Sequence, residues 1–169
     1  MTTVCDVMDD LRAMAAVKAA LAEDVGEGDA TTLALVDPAA RATGEILARE
    51  ACRVAGVTVA RAVLTCVDPA LRVAVIVPDG ETVEPGDTIL TIEGKATSIL
   101  TAERTALNFM QRMCGIATLT ARFVKAVEAY GTMILDTRKT TPNLRLFEKY
   151  AVTCGGGTNH RFGLYDRVL

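Results

Sequence analysis

Thr132-Met133-Ile134-Leu135-Asp136-Thr137-Arg138-Lys139-Thr140-Thr141-Pro142 is the stretch on which the fold turns. Thr132 to Leu135 is a short apolar run, the form a buried strand of a parallel sheet takes. Pro142 opens a helix predicted to run to about Cys154, because its fixed φ suits a first helical turn. Gly155-Gly156-Gly157 closes that helix, and the apolar tail Phe162 to Leu169 reads as the next strand. Strand, helix and strand make a βαβ unit, whose carboxyl-end loops are where α/β folds bind ligands. A lone unit of this kind leaves a sheet face uncovered, and the tail ends without a turn. The expectation is therefore the amino-terminal part of a longer α/β protein, truncated at Leu169.

Upstream, the chain alternates helices with short strands. Val7, Leu11, Met14, Ala15, Leu21 and Val25 recur at helical spacing, predicting an amphipathic helix stopped by Gly26 and Gly28. Gly44 to Val54 reads as one strand, Val57 to Cys66 as a helix, and Leu71 to Val77 as a strand. The turn Glu84-Pro85-Gly86-Asp87 leads to a strand from Thr88 to Ile92. Two helices follow, Leu100 to Met113 and Ala117 to Tyr130, with Gly115 as the break between them.

The whole chain has 169 residues, 50% hydrophobic and 23% charged, which is a globular composition. A formal net charge of -3 gives no global positive field for nucleic acid or an anionic membrane, so any anion site is local. No apolar stretch approaches a membrane span and Met1 to Asp10 carries acids rather than a basic leader, so a cytoplasmic protein is expected. The five cysteines, at positions 5, 52, 66, 114 and 154, are scattered and read as reduced, mostly core thiols with no adjacent base. His160 is the only histidine, so a multi-histidine metal centre and a two-histidine relay are excluded by count, while carboxylates remain open to magnesium and no metal ligand is assigned.

Three places carry the chemistry. Thr137, Arg138 and Lys139 stand with further hydroxyls where the predicted strand opens into a helix amino terminus, a setting that favours anions. Gly155 to Gly157 precede His160 and Arg161; glycines let backbone approach a ligand and an Arg fork grips a carboxylate. Glu103-Arg104 is the third, though an isolated exposed pair of this kind is worth little. Against these stand solvated loop cations, a flexible helix cap and a surface ion pair. Two rival classes are a non-catalytic anion-binding or assembly module and a biotinyl-type carrier, which would need Lys95 in a tight hairpin.

Thr101 to Asn108, Gly115 to Thr118, Asp136 to Pro142, Glu148 to Val152, Gly155 to Arg161 and Gly163 to Asp166, in that order and spacing, closely resemble the quinolinate phosphoribosyltransferase family. The resemblance spans nearly the whole chain; molybdenum-transport-associated proteins of the same fold share part of it. It implies an α+β amino-terminal domain, residues 1–113, then the first part of an α/β barrel related to the TIM barrel, residues 114–169. It implies phosphoribosyl transfer from phosphoribosyl pyrophosphate to quinolinate with decarboxylation, and magnesium whose ligands lie beyond this chain. Arg138 and Lys139 are the implied catalytic cations, with Thr137, His160 and Arg161 completing the quinolinate pocket. Arg104 is expected to cross into a neighbouring subunit's site, which calls for a homodimer or larger homo-oligomer. Asn143 stands where the family commonly has Gly; Asn tolerates left-handed backbone, so the turn is expected to survive.

Overall fold

The structure, a computed structural model, describes residues 6–168. Cys5 and Leu169, both included in the expectations above, lie outside the described residues.

Helix α1 (Leu11–Val25) starts where the Asp10 carboxylate accepts the Arg12 N–H at 2.9 Å and stops at Gly26, φ +53°. Its buried stripe is Ala13, Val17 and Leu21, whereas Leu11, expected on the apolar face, is 90% exposed. Ala13, Val17 and Leu21 stand four apart on one face of α1, and Leu11 at the first helical position falls outside that stripe. Helix α2 (Ala30–Leu35) was not predicted; six residues show no periodicity, and its signal is the Asp29 side chain accepting the Thr32 N–H.

The strand expected over residues 44–54 is two. Strand β1 (Arg41–Leu47) pairs antiparallel with β5 (Thr88–Lys95), and its register slips between Ile46 and Leu47. That irregularity and the crossed bonds Ala48 N–H to Asp87 O and Gly86 N–H to Ala48 O lead the chain out of the sheet. It resumes as β2 (Cys52–Arg53), paired with β4 (Thr82–Val83) in a separate ladder. With β3 (Arg72–Val75) on the far side of β5, the main sheet runs β1-β5-β3, all antiparallel. Helix α3 (Val57–Val67) buries Val59, Ala60, Val63 and Leu64, and central Leu90 of β5 is fully buried.

The largest correction is Gly115. Instead of two helices, Ala96–Val127 is one helix, α4, continuous through Gly115. A mid-helix glycine costs only about 1 kcal/mol. Met110, Met113, Ala117 and Thr120, buried on either side, anchor both halves to the same neighbours and outweigh it. A single 3₁₀ turn, Glu128–Tyr130, and left-handed Gly131 then end the helical run.

Thr132 to Leu135 is not a buried strand: Leu135 makes a single parallel bridge to Thr158, and Met133 and Leu135 are 71% and 48% exposed. Nothing among the described residues packs over them. Helix α5 (Arg145–Cys154) links the two sides of the bridge, so the predicted strand–helix–strand order survives in minimal form. It starts three residues after Pro142, because Asn143 adopts φ +66° and turns the chain first. The tail is not a strand either: the N–H groups of Phe162 and Gly163 donate to the Asp166 carboxylate and fold it into a turn. The outcome is an α/β fold: an antiparallel sheet with helices on it, joined by α4 to the parallel bridge and α5.

Candidate functional site

The parallel bridge decides the geometry. Thr158 N–H donates to Ile134 O at 2.8 Å and Asp136 N–H to Thr158 O at 3.1 Å, so the two segments leave the bridge in the same direction. Thr137-Arg138-Lys139 and His160-Arg161 thus emerge side by side as two basic arms. Lys139 and Arg161 form no ion pair among the described residues. The Arg138 Nε is buried without a hydrogen-bond partner among the described residues, as are the Arg53 Nε and the Thr58 hydroxyl elsewhere in the chain.

Much of the polar chemistry that the sequence assigned to ligand holds the arms instead. Thr137 Oγ1 accepts the Lys139 N–H at 3.0 Å. Thr140 Oγ1 accepts from Arg145 Nε at 3.0 Å, and the same guanidinium reaches Phe162 O at 3.0 Å, tying one arm to the tail of the other. Thr141 is held twice, its hydroxyl by Arg112 and its N–H by Glu148 Oε2 at 3.2 Å. That N–H is spent on the protein and α5 begins at Arg145, so the helix amino terminus expected to attract an anion at Thr140-Thr141 is absent there.

Asp136 is likewise internal. It forms a buried ion pair with Lys149, the side chains 5% and 3% exposed, and also accepts the His160 N–H at 2.8 Å. Glu148, buried beside it on α5, is gripped by Arg112. Burial pushes its carboxyl up, but the bonds from Arg112 and Thr141 outweigh burial and hold it below the ordinary glutamate value. Lys149, Glu148, Arg145 and Arg112 were missed as parts of the site. The available signal was charge between Phe147 and Ala151, on the face of α5 that has to be buried.

The glycines too serve packing. A Cβ on Gly155 would lie 2.4 Å from Ala117 O, and one on Gly157 would lie 2.7 Å from Val152 Cγ1, so close approach here is to α4 and α5, not to a ligand. Arg104 stands apart: with Glu103 it lines a cleft of about 1070 Å³ between β1 and α4, and neither basic arm lines that cleft. One chain therefore does not bring Arg104 to the other candidates. Lys95 ends β5 and leads directly into α4, not the hairpin tip a carrier needs. Desolvation pushes the Cys114 and Cys154 thiols up to about 12, which makes them inert. Among the described residues no helix is long and apolar enough to cross a membrane.

Two family profiles match consecutive parts of the chain: "Quinolinate phosphoribosyl transferase, N-terminal domain" over residues 29–114 and the corresponding C-terminal domain over residues 116–169. A Nicotiana glauca protein named quinolinate phosphoribosyltransferase [decarboxylating] 1 is 46% identical over 154 residues, 90% of this chain and 43% of its own length. An Arabidopsis thaliana nicotinate-nucleotide pyrophosphorylase [carboxylating], chloroplastic, is 47% identical over 161 residues, 95% of this chain and 45% of its own. Among solved structures, NadC from Streptococcus pyogenes superposes with a TM-score of 0.88 at 46% identity, covering 91% of this chain and 55% of that one. The chain thus spans about half the length of the relatives it matches.

Proposed function

The chain belongs to the quinolinate phosphoribosyl transferase family, and from that premise we propose that it carries the quinolinate-gripping half of a carboxylating nicotinate-nucleotide pyrophosphorylase. The observation that carries this reading is the pair of basic arms side by side, with the buried Arg138 Nε lacking a partner. Quinolinate has two adjacent carboxylates, and two cationic arms grip two carboxylates where one would leave the ring free to rotate. Arg138 and Lys139 take one side and Arg161 the other, with Thr137 and His160 lining the pocket. Held so, the ring nitrogen faces the anomeric carbon of phosphoribosyl pyrophosphate. The new nitrogen–carbon bond forms as the bond to pyrophosphate breaks. The pyridinium then accepts the electron pair released when the neighbouring carboxylate leaves as carbon dioxide, and a proton replaces it, giving nicotinate mononucleotide. The basic arms favour this by offsetting the repulsion between two polyanionic substrates.

Magnesium belongs to the same reading as part of the phosphoribosyl pyrophosphate complex. Asp136 and Glu148, the carboxylates behind the arms, are each engaged by a cation and a backbone N–H and do not suit a metal. Arg104, exposed on α4 and outside the pocket of its own arms, is read as serving a second copy of the chain in a homodimer or larger homo-oligomer. A cytoplasmic site of action is supported by the scattered, odd-numbered cysteines. The test is calorimetric titration of quinolinate into the chain and its Arg138→Ala and Arg161→Ala variants. Each variant is expected to weaken binding by ~1.5–3 kcal/mol, the worth of a charge-assisted hydrogen bond. Equal affinity in all three proteins would refute the pocket.

A further inference from the structure

We propose that Asp136 and Lys149 are positioning residues that fix the spacing of the two basic arms, and with it the preference for a ligand bearing two carboxylates over one bearing a single carboxylate. The inference rests on the quinolinate reading above and deepens it. Asp136 sits where three segments meet. Its N–H donates to Thr158 O at 3.1 Å, its Oδ1 accepts both Lys149 Nζ and the His160 N–H, the latter at 2.8 Å, and one residue separates it from Arg138. The Asn159 amide, turned so that its nitrogen faces inward, donates to Asp136 Oδ2 at 2.6 Å and to Lys149 O at 2.9 Å. A carboxylate receiving three donors this way is committed to the protein. Lys149, 3% exposed, does not present its charge to a ligand either.

What the pair does reach is both arms. One oxygen of Asp136 holds the backbone of His160, next to Arg161, while its own main chain leads through Thr137 into Arg138. The separation of the two guanidiniums is thus set through a single buried carboxylate, which Lys149 holds in place. A loss of spacing matters most to a ligand that has to touch both arms at once. A ligand with one carboxylate uses one arm and tolerates the change.

The experiment compares the chain with Lys149→Met and with the double variant Asp136→Leu/Lys149→Met, which removes both buried charges and the acceptor for the His160 N–H, and so keeps a foldable core if the single variant leaves Asp136 unpaired. Quinolinate and nicotinate, the pyridine with one carboxylate, are titrated into each by calorimetry, with circular dichroism melts giving the folded fraction. The chain is expected to prefer quinolinate, and the folded double variant to lose about tenfold of that preference. A merely structural role would lower both affinities by the folded fraction and leave their ratio unchanged, and an unchanged ratio in the folded double variant overturns the proposal. Absence of any preference in the unaltered chain would instead overturn the quinolinate pocket itself, and this inference with it.

Discussion

Alanine at two glycines, Gly155 packed against α4 and Gly115 exposed in the middle of α4, should move stability in opposite directions. At Gly155 an added Cβ would lie 2.4 Å from the Ala117 carbonyl oxygen and 2.6 Å from Thr120 Cβ, both belonging to the rigid turn of α4. Neither is the free end of a flexible side chain, so α5 has to back away from α4, loosening Ala151 and Cys154, which are buried there. Overpacking of this kind costs about 1–3 kcal/mol. Gly155 has φ -77°, so left-handed backbone strain adds nothing and the steric effect stands alone. At Gly115, by contrast, nothing lies within 4 Å of the added atom, and the position is mid-helix. There Ala recovers roughly 0.5–1 kcal/mol of helix propensity. With about 2–4 °C of melting temperature per kcal/mol at this size, Gly155→Ala should melt several degrees lower and Gly115→Ala a degree or more higher. Thermal melts by circular dichroism on the three proteins decide it. A Gly155→Ala protein as stable as the parent would show that the close packing of α5 on α4 is wrong. A destabilised Gly115→Ala protein would show that α4 is broken at that point, as the sequence alone predicts.

Two further outcomes follow from the same frame. Arg112→Ala takes the cation from Glu148 and Thr141 and should cost about 1–3 kcal/mol in urea denaturation at neutral pH. Because the folded Glu148 carboxyl lies below its ordinary value of 4.5, the stability it contributes is present above that value and is lost as pH falls through the folded value, so the gap between parent and variant should close in acid; a gap that never narrows as pH falls would refute the ion pair. Arg104→Ala mixed with Arg138→Ala should regain quinolinate affinity in a fraction of sites if Arg104 serves a neighbouring copy, since each mixed pair holds one intact site; no recovery would place Arg104 in its own chain's site.

The sequence spoke most clearly where one local rule acts alone. The helix read as Val57 to Cys66 was legible from its apolar residues, and the strand from Thr88 from the turn before it. It misled where a local rule competes with packing. Gly115 breaks helices on propensity, but Met113 and Ala117 beside it are buried, and tertiary contact overrides about 1 kcal/mol of preference. Thr132 to Leu135 has the composition of a buried strand, yet a strand is buried only by what packs on it, and the described residues supply one bridge. The candidate site divides in the same way. The basic residues were legible by type, because cations clustered at a strand end signal an anion. Which polar groups face the ligand and which hold the arms was not, because that depends on contacts such as Asp136 with Lys149, 13 positions apart, and Arg112 with Glu148, 36 apart. Charge type alone would give Asp136 and Arg138 equal claims on a ligand. Burial separates them: a carboxylate surrounded by its own donors is already neutralised, while a buried guanidinium nitrogen without an acceptor still lacks its counterpart. Under the function proposed above, that counterpart is a ligand carboxylate.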